Sequence, residues 1–237
     1  MRTAAILPVK RFPIAKQRLG ESIADSLRGS LARAMVGDVL SALRECSAVE
    51  ATIVVTCEPS VATAATYIGA IVVEDSVEQG QSAAVSIGLA RAIEQGFERA
   101  LCIPGDCPTL DPDELTALLD SAPLAEHEVV ILPDRHGSGT NGLLLTPPDA
   151  LSPSFGPDSR ARHEQLATDA GATWRIEQPP SLLLDIDTGE DLAVLRERLA
   201  GERVRAPRTR AVLGSSETST ETAGHSGTPT GHGSQAA

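Results

Sequence analysis

The sequence predicts an α/β fold, a three-layer sandwich built on a mostly parallel central sheet. Two observations predict it. Short runs with apolar residues at consecutive positions recur along the chain, and such runs suit strands that are covered on both faces. Between them lie longer segments whose apolar residues return every three or four positions, the stripe of a helix packed on one side. Strand and helix alternating in this way place helices on both faces of one sheet.

The first run is "AAILPV" (4–9), followed by a helical pattern over 22–46 in which Ile23, Leu27, Leu31, Val39 and Leu43 share a stripe. "ATIVVTC" (51–57) and "AIVVED" (70–75) are the next two runs. A helix over 82–95 carries Val85, Leu89, Ala92 and Ile93 on one face. "ALCIPG" (100–105) precedes "DPDELTALL" (111–119), where Asp111 is a capping residue, Pro112 suits the first helical position and Glu114 falls three residues past the cap. "EVVILPD" (128–134), "GLLLT" (142–146) and "LLLDID" (182–187) complete the predicted strands. A last helix runs from Thr188 to Gly201. From 205 the chain turns to Gly, Ser, Thr and Pro with few apolar residues, so 1–204 is the expected folded domain and 205–237 a disordered tail. His225 and His232 in that tail read as solvated residues rather than metal ligands.

Composition narrows the function. The 237 residues are 41% hydrophobic, ordinary for a globular protein, but only 2% aromatic, so the core must be aliphatic. A net charge of −12 argues against nucleic acid or an anionic membrane surface as partner. No apolar run approaches the ~20 residues of a membrane span, and the opening "MRTAAILPV" is too short for a secretory signal. Cys46, Cys57, Cys102 and Cys107 lack metal-ligand spacing and read as buried thiols of a cytoplasmic protein.

In a parallel sheet, ligands bind beyond the carboxyl ends of the strands, so the loops there are where chemistry is sought. The first is "PVKRFPIAKQRLG" (8–20), which holds both lysines of this acidic chain, Lys10 and Lys16, together with Arg11 and Arg18. Neither a dinucleotide glycine fingerprint nor a P-loop is present, so positive side chains are the means left for holding phosphates. "EQGQSAAVSIGLA" (78–90) is a glycine-flanked turn entering a helix, with Gln81 and Ser82 available to base edges. Asp106, in "IPGDCPTL", stands at a strand end where a hard cation such as Mg²⁺ takes oxygen ligands. Asp185 and Asp187 share one face if their segment is extended, and paired carboxylates repel unless a cation or donors lie between them. "SFGPDSRARH" (154–163) offers a helix start and Ser159 to a second anion, with Asp158 as an alternative cap.

The motifs "VKRFPIAKQRL", "GDCPTL", "GTNGLLL", "FGPDSRARH" and "LLLDIDT", in this order, resemble the phosphoenolpyruvate/2-phospho-L-lactate guanylyltransferases of coenzyme F-420 biosynthesis, over about residues 3–200. The resemblance implies a nucleotide-diphospho-sugar transferase-like fold. It implies a nucleotidyltransferase that moves GMP from GTP to the phosphate of phosphoenolpyruvate or 2-phospho-L-lactate and releases pyrophosphate. By the same resemblance Lys10 and Lys16, with Arg18, hold the GTP phosphates, and the 79–84 turn with Gly80 and Ser82 holds guanine. Thr140, Gly156 and Ser159 hold the acceptor acid. Asp106 and Asp185 bind Mg²⁺ with Asp187 in support, and Lys10, Lys16 and Asp106 are the catalytic set. His163 is expected to be structural. A homodimer and hand-over of product to a downstream transferase are further expectations. The alternatives are a molybdenum cofactor guanylyltransferase, whose relatives usually carry a glycine-rich first loop where this chain has "KRFPIAK", and a nucleotide-sugar-dependent transferase using "DID".

Overall fold

A computed structural model of the chain describes residues 1–12, 19, 23–76, 78–121, 128–201 and 204–223, the side chains of 216–223 excepted. Strand β1 (Thr3–Val9) is followed by helix α1 (Asp25–Glu45), β2 (Ala51–Thr56), α2 (Pro59–Tyr67), β3 (Ile71–Val73), α3 (Gln81–Glu94), β4 (Arg99–Cys102) and α4 (Pro112–Ser121). Then come β5 (Glu128–Pro133), β6 (Thr140–Thr146), α5 (Ser159–Asp169), β7 (Thr173–Ile176), α6 (Gly189–Ala200) and α7 (Pro207–Ala223). The strands form one sheet in the order β3-β2-β1-β4-β6-β5-β7. Strand β6 runs antiparallel to both neighbours and every other pairing is parallel. The predicted α/β class and mostly parallel sheet are therefore what the chain adopts.

The unbroken apolar runs are explained by cover on both faces. Along β1, Ala5, Leu7 and Val9 join a cluster with α1, α2 and α4, while Ala4 and Ile6 join a second cluster with α3. Alternate residues of one strand thus feed two cores. Helix α3 lies close enough to β1 that a Cβ on Gly88 would sit 2.3 Å from Ile6 Cγ2. A third cluster joins Leu31 and Met35 of α1 to Leu184, Ile186, Leu192, Leu195, Leu199 and Leu213.

The helix starts follow their capping residues. Asp111 Oδ1 accepts from the N–H groups of Asp113 (2.8 Å) and Glu114 (3.4 Å) at the head of α4. Thr188 and Asp191 form a reciprocal capping box on α6. Glu114 does not close the box that its spacing suggests; its carboxylate takes the Ser181 N–H at 2.9 Å and ties α4 to the 179–182 turn.

Three expectations need correction. The stretch 182–187 is not a strand: it leaves a 3₁₀ turn at Pro180–Leu182 and its backbone bond to a neighbouring strand end runs from Ile186 N–H to Asp106 O (3.1 Å). The seventh strand is instead β7, an edge strand whose residues are largely exposed and so show no apolar run. The tail expected from 205 begins as helix α7, packed on α1. Its first N–H groups, of Arg208 and Thr209, donate to Asp38 Oδ1 (3.1 Å) and Oδ2 (2.8 Å), a buried carboxylate from α1. A cap supplied from α1 leaves no local signal. Among the described residues no helix is long and apolar enough to cross a membrane, and the four cysteines are free thiols.

Candidate active site

A cavity of about 390 Å³ opens at the carboxyl ends of β1 to β4. Lys10 enters it from the end of β1, Cys57 from β2, Asp75 and Glu78 from the loop after β3, Gly80 and Gln81 from the head of α3, and Asp106 from the loop after β4. Thr140 and Asn141 reach the same place because β6 is antiparallel, so its first residues lie where its neighbours end. Asp185 and Asp187 complete the wall.

Each wall is held by its own chemistry. Thr56 Oγ1 donates to Val9 O (2.7 Å), and Glu58 accepts from Phe12 N–H (3.2 Å), so the end of β2 fixes the start of the Lys10 loop. Asp185 and Asp187 alternate with Leu184 and Ile186, which are fully buried in the third cluster. The two leucine-like anchors turn both carboxylates toward the cavity without a sheet ladder. The Ile186–Asp106 backbone bond then brings the two acidic segments side by side.

Asp185 records that crowding. Burial, then the charges of Asp106 and Asp187, push its carboxyl up to about 6. Two donors oppose this, its own backbone N–H and Asn141 Nδ2, which lies 3.3 Å from Asp185 Oδ1 and 2.8 Å from Leu182 O. No group of three or more His, Cys, Asp or Glu among the described residues forms a ready-made metal cage. A cation that takes one or two carboxylates and completes its shell with water and phosphate oxygens fits this wall better than one that needs an all-protein site, and Mg²⁺ binds in that way. The donor set of converging, mutually repelling carboxylates suits such an ion.

Beside Thr140 lies a buried histidine. His163 is 0% exposed; its Nε2 accepts from Ser154 N–H (2.9 Å) and its Nδ1 lies 3.0 Å from Thr140 Oγ1. Since Nε2 accepts, the ring proton sits on Nδ1 and donates to Thr140. Burial and then the Arg162 charge push His163 down to about 4, so it is neutral at physiological pH. Phe155 packs edge-on against the ring at 5.2 Å, and Phe155 N–H donates to Ser82 Oγ (2.9 Å). Arg162 braces the same loop through Ser154 Oγ (3.2 Å), Ser154 O (3.0 Å) and Pro157 O.

Of the residues singled out by sequence, Lys10, Gly80, Asp106, Thr140, Asp185 and Asp187 line one cavity. Lys16 and Arg18 lie outside the described residues. Ser82, Gly156 and Ser159 are not part of the cavity wall. Ser82 is engaged with the Phe155 backbone, Gly156 sits at φ 118°, and Ser159 is buried at the head of α5. Asp158 makes no side-chain cap on α5, against the capping alternative; it occupies the left-handed region at φ 54°. Sequence reasoning missed Asn141, whose signal was an amide inside a buried strand, and Asp75, masked at the end of an apolar run.

Comparison with known proteins places these features in context. A family model described as "Guanylyl transferase CofC like" matches residues 3–206. A phosphoenolpyruvate guanylyltransferase of Conexibacter woesei is 50% identical over 213 residues, covering 90% of this chain and 96% of that one. Another of that name, from Sphaerobacter thermophilus, is 37% identical over 202 residues, covering 85% and 94%. Among solved structures, a Desulfovibrio desulfuricans G20 protein provisionally described as a nucleotide-diphospho-sugar transferase superposes with a TM-score of 0.69 at 18% identity, over 94% of this chain and 98% of that one. That likeness carries the fold.

Proposed function

The chain belongs to the CofC-like guanylyl transferase family, and from that premise we propose that it transfers GMP from GTP to the phosphate of phosphoenolpyruvate, as a step of coenzyme F-420 biosynthesis. The observation that carries the reading is the cleft at the carboxyl ends of β1 to β4, lined by Lys10 and by three carboxylates, Asp106, Asp185 and Asp187, from two separate segments.

In the proposed reaction an oxygen of the acceptor phosphate attacks the α-phosphorus of GTP. A phosphoanhydride bond forms, the bond from the α-phosphorus to the β-phosphate bridge breaks, and pyrophosphate leaves with the electron pair. The acceptor is already an oxyanion, so no general base is required, in keeping with His163 being buried and neutral. Asp106 and Asp185, with Asp187 beside them, are the residues that would hold Mg²⁺. Bound there, Mg²⁺ supplies the positive charge that lets two anionic phosphates approach.

The chain's own groups do the rest. Lys10, joined in this proposal by Lys16 and Arg18, stabilises charge growing on the leaving pyrophosphate. Thr140 accepts from His163 and so keeps its own O–H to donate to the acceptor phosphate. Gly156 and Ser159 are proposed to complete the acceptor site from the loop that His163 and Arg162 hold. Residues 1–204 are proposed as the transferase domain, with α7 laid against α1 as a support. The protein is proposed to act in the cytoplasm.

The test is pyrophosphate release in mixtures of the protein, Mg²⁺, one nucleoside triphosphate and one acid. Release with GTP and phosphoenolpyruvate, and little with either omitted, is the expected result. The same mixtures with 2-phospho-L-lactate rank the acceptors. No release with GTP and any three-carbon phospho-acid would overturn the reading.

A further inference from the structure

Acidic side chains line the cleft at two places, and only one of them is explained by phosphate chemistry. Asp106, Asp185 and Asp187 stand beside β4, where a divalent cation joins carboxylate to phosphate. Asp75 and Glu78 stand after β3, at the opposite side. In the sheet, β3 and β4 are separated by β2 and β1, three strand intervals and hence about 14 Å. That distance spans a ribose and a purine. The part of the nucleotide that reaches Asp75 is therefore its base.

The two acidic residues there are not equivalent. Glu78 is paired with Arg11 at 3.0 Å and half turned to solvent, so its charge is matched. Asp75 is 7% exposed, yet it belongs to the cavity wall. Its backbone is pinned by Cys57, whose thiol donates to Asp75 O at 2.7 Å. Its Oδ1 accepts from Glu78 N–H at 3.0 Å, which holds Glu78 in the left-handed region at φ 48°. An orientated carboxylate offers acceptors only. Among purines, guanine presents two adjacent donors on one edge, N1–H and the N2 amine. Adenine presents a lone pair at N1, which a carboxylate repels.

We propose that Asp75 is the residue that selects guanine, its carboxylate accepting from N1–H and the N2 amine. The inference rests on the reading of this cleft as the GTP site and adds the group that reads the base.

The test is a nucleotide series on the full chain, scored both as kcat/KM for pyrophosphate release and as Kd by calorimetry with Mg²⁺. For the unaltered protein, ITP lacks the N2 amine and should be about 10–100-fold weaker than GTP, the loss of one hydrogen bond to a charged acceptor. XTP, with an oxygen in place of that amine, should be weaker still. Asp75→Asn keeps an oxygen for Glu78 N–H and turns an N–H donor toward the base, so it matches xanthine and opposes guanine. Its XTP-to-GTP preference should rise at least ~100-fold. Equal use of ITP and GTP by the unaltered protein overturns the inference without any variant. So does an XTP-to-GTP ratio in Asp75→Asn that stays within about threefold of the unaltered protein, since a carboxylate that serves only the turn would leave base preference alone. Absence of GTP binding altogether would instead fail the reading of the cleft.

Discussion

Replacing Asp185 with asparagine should make the metal-free protein more stable while destroying its activity. The structure supplies the magnitude. Burial and the charges of Asp106 and Asp187 raise the Asp185 carboxyl from 3.8 to about 6, which disfavours its ionised form by about 3 kcal/mol at ~1.4 kcal/mol per pH unit. A raised folded-state value means that Asp185 favours folding below pH 3.8 and that this contribution is lost as pH rises through about 6. The amide is neutral throughout. The variant should therefore match the parent near pH 4 and exceed it at pH 7.5 by about 2–3 kcal/mol, or roughly 4–12 °C in Tm for a chain of this size. His163 must be separated from this effect. Its folded value is depressed from 6.5 to about 4, so it contributes stability above pH 6.5 that is lost as pH falls through 4. The two groups oppose each other between pH 4 and 6.5, and the parent profile alone would hide both. The difference between variant and parent cancels His163 and isolates Asp185. Thermal unfolding in chelator across pH 4–8 measures it. A difference that is flat with pH, or a variant less stable than the parent at pH 7.5, would refute the claim that three carboxylates strain this cleft.

Asp106→Ala should lower pyrophosphate release by at least ~100-fold at saturating Mg²⁺; near-normal turnover would remove Asp106 from the metal site. Lys10→Ala should cost ~10²–10³ in kcat, as the loss of a donor that stabilises developing charge, and an unchanged kcat would make Lys10 a solvated bystander. His163→Ala should reduce kcat/KM for the acid roughly 10–100-fold through a misplaced Thr140 while KM for GTP changes little; equal changes in both would mean a general loss of structure. Gly88→Ala would put its methyl carbon 2.3 Å from Ile6 Cγ2 and 3.1 Å from Val55 Cγ2. Overpacking of that kind costs about 1–3 kcal/mol, more than the ~1 kcal/mol that alanine gains over glycine in a helix. A Tm that fails to fall on differential scanning fluorimetry would mean that α3 can slide.

What could be read in advance divides by where the physical cause lies. Four parallel strands were legible because two-sided cover writes an apolar residue at every position, as in Ile6-Leu7 and Val54-Val55. The heads of α4 and α6 were legible because Asp111 and Thr188 act on N–H groups within three residues of themselves. Edge strand β7 was not, since an exposed strand needs no apolar pattern. Helix α7 was not, since its cap is Asp38, 170 residues away. In the site, Asp106 stood out because it follows an apolar run at a strand end, where a parallel sheet binds ligands, and Asp185 because it pairs with Asp187 at alternate positions. Asp75 closed an apolar run just as plainly, but its meaning depends on which strand lies next to which.

The segment bearing Asp185 and Asp187 shows why a wrong element still led to residues that line the cavity. The period-two pattern predicts a strand, but the segment has no ladder. The period comes instead from Leu184 and Ile186 dropping into the cluster formed with Met35, Leu192, Leu195 and Leu213. An extended backbone over an apolar floor alternates its side chains whether or not a neighbouring strand pairs with it. The orientation of both carboxylates is thus set by packing beneath them, in a core built from α1, α6 and α7. One backbone bond, from Ile186 to Asp106 at 3.1 Å, then joins that floor to the loop after β4. Acidic groups that repel one another stay together here because the apolar residues between them have no other place to go. The cleft holds its charge by burying what lies underneath it.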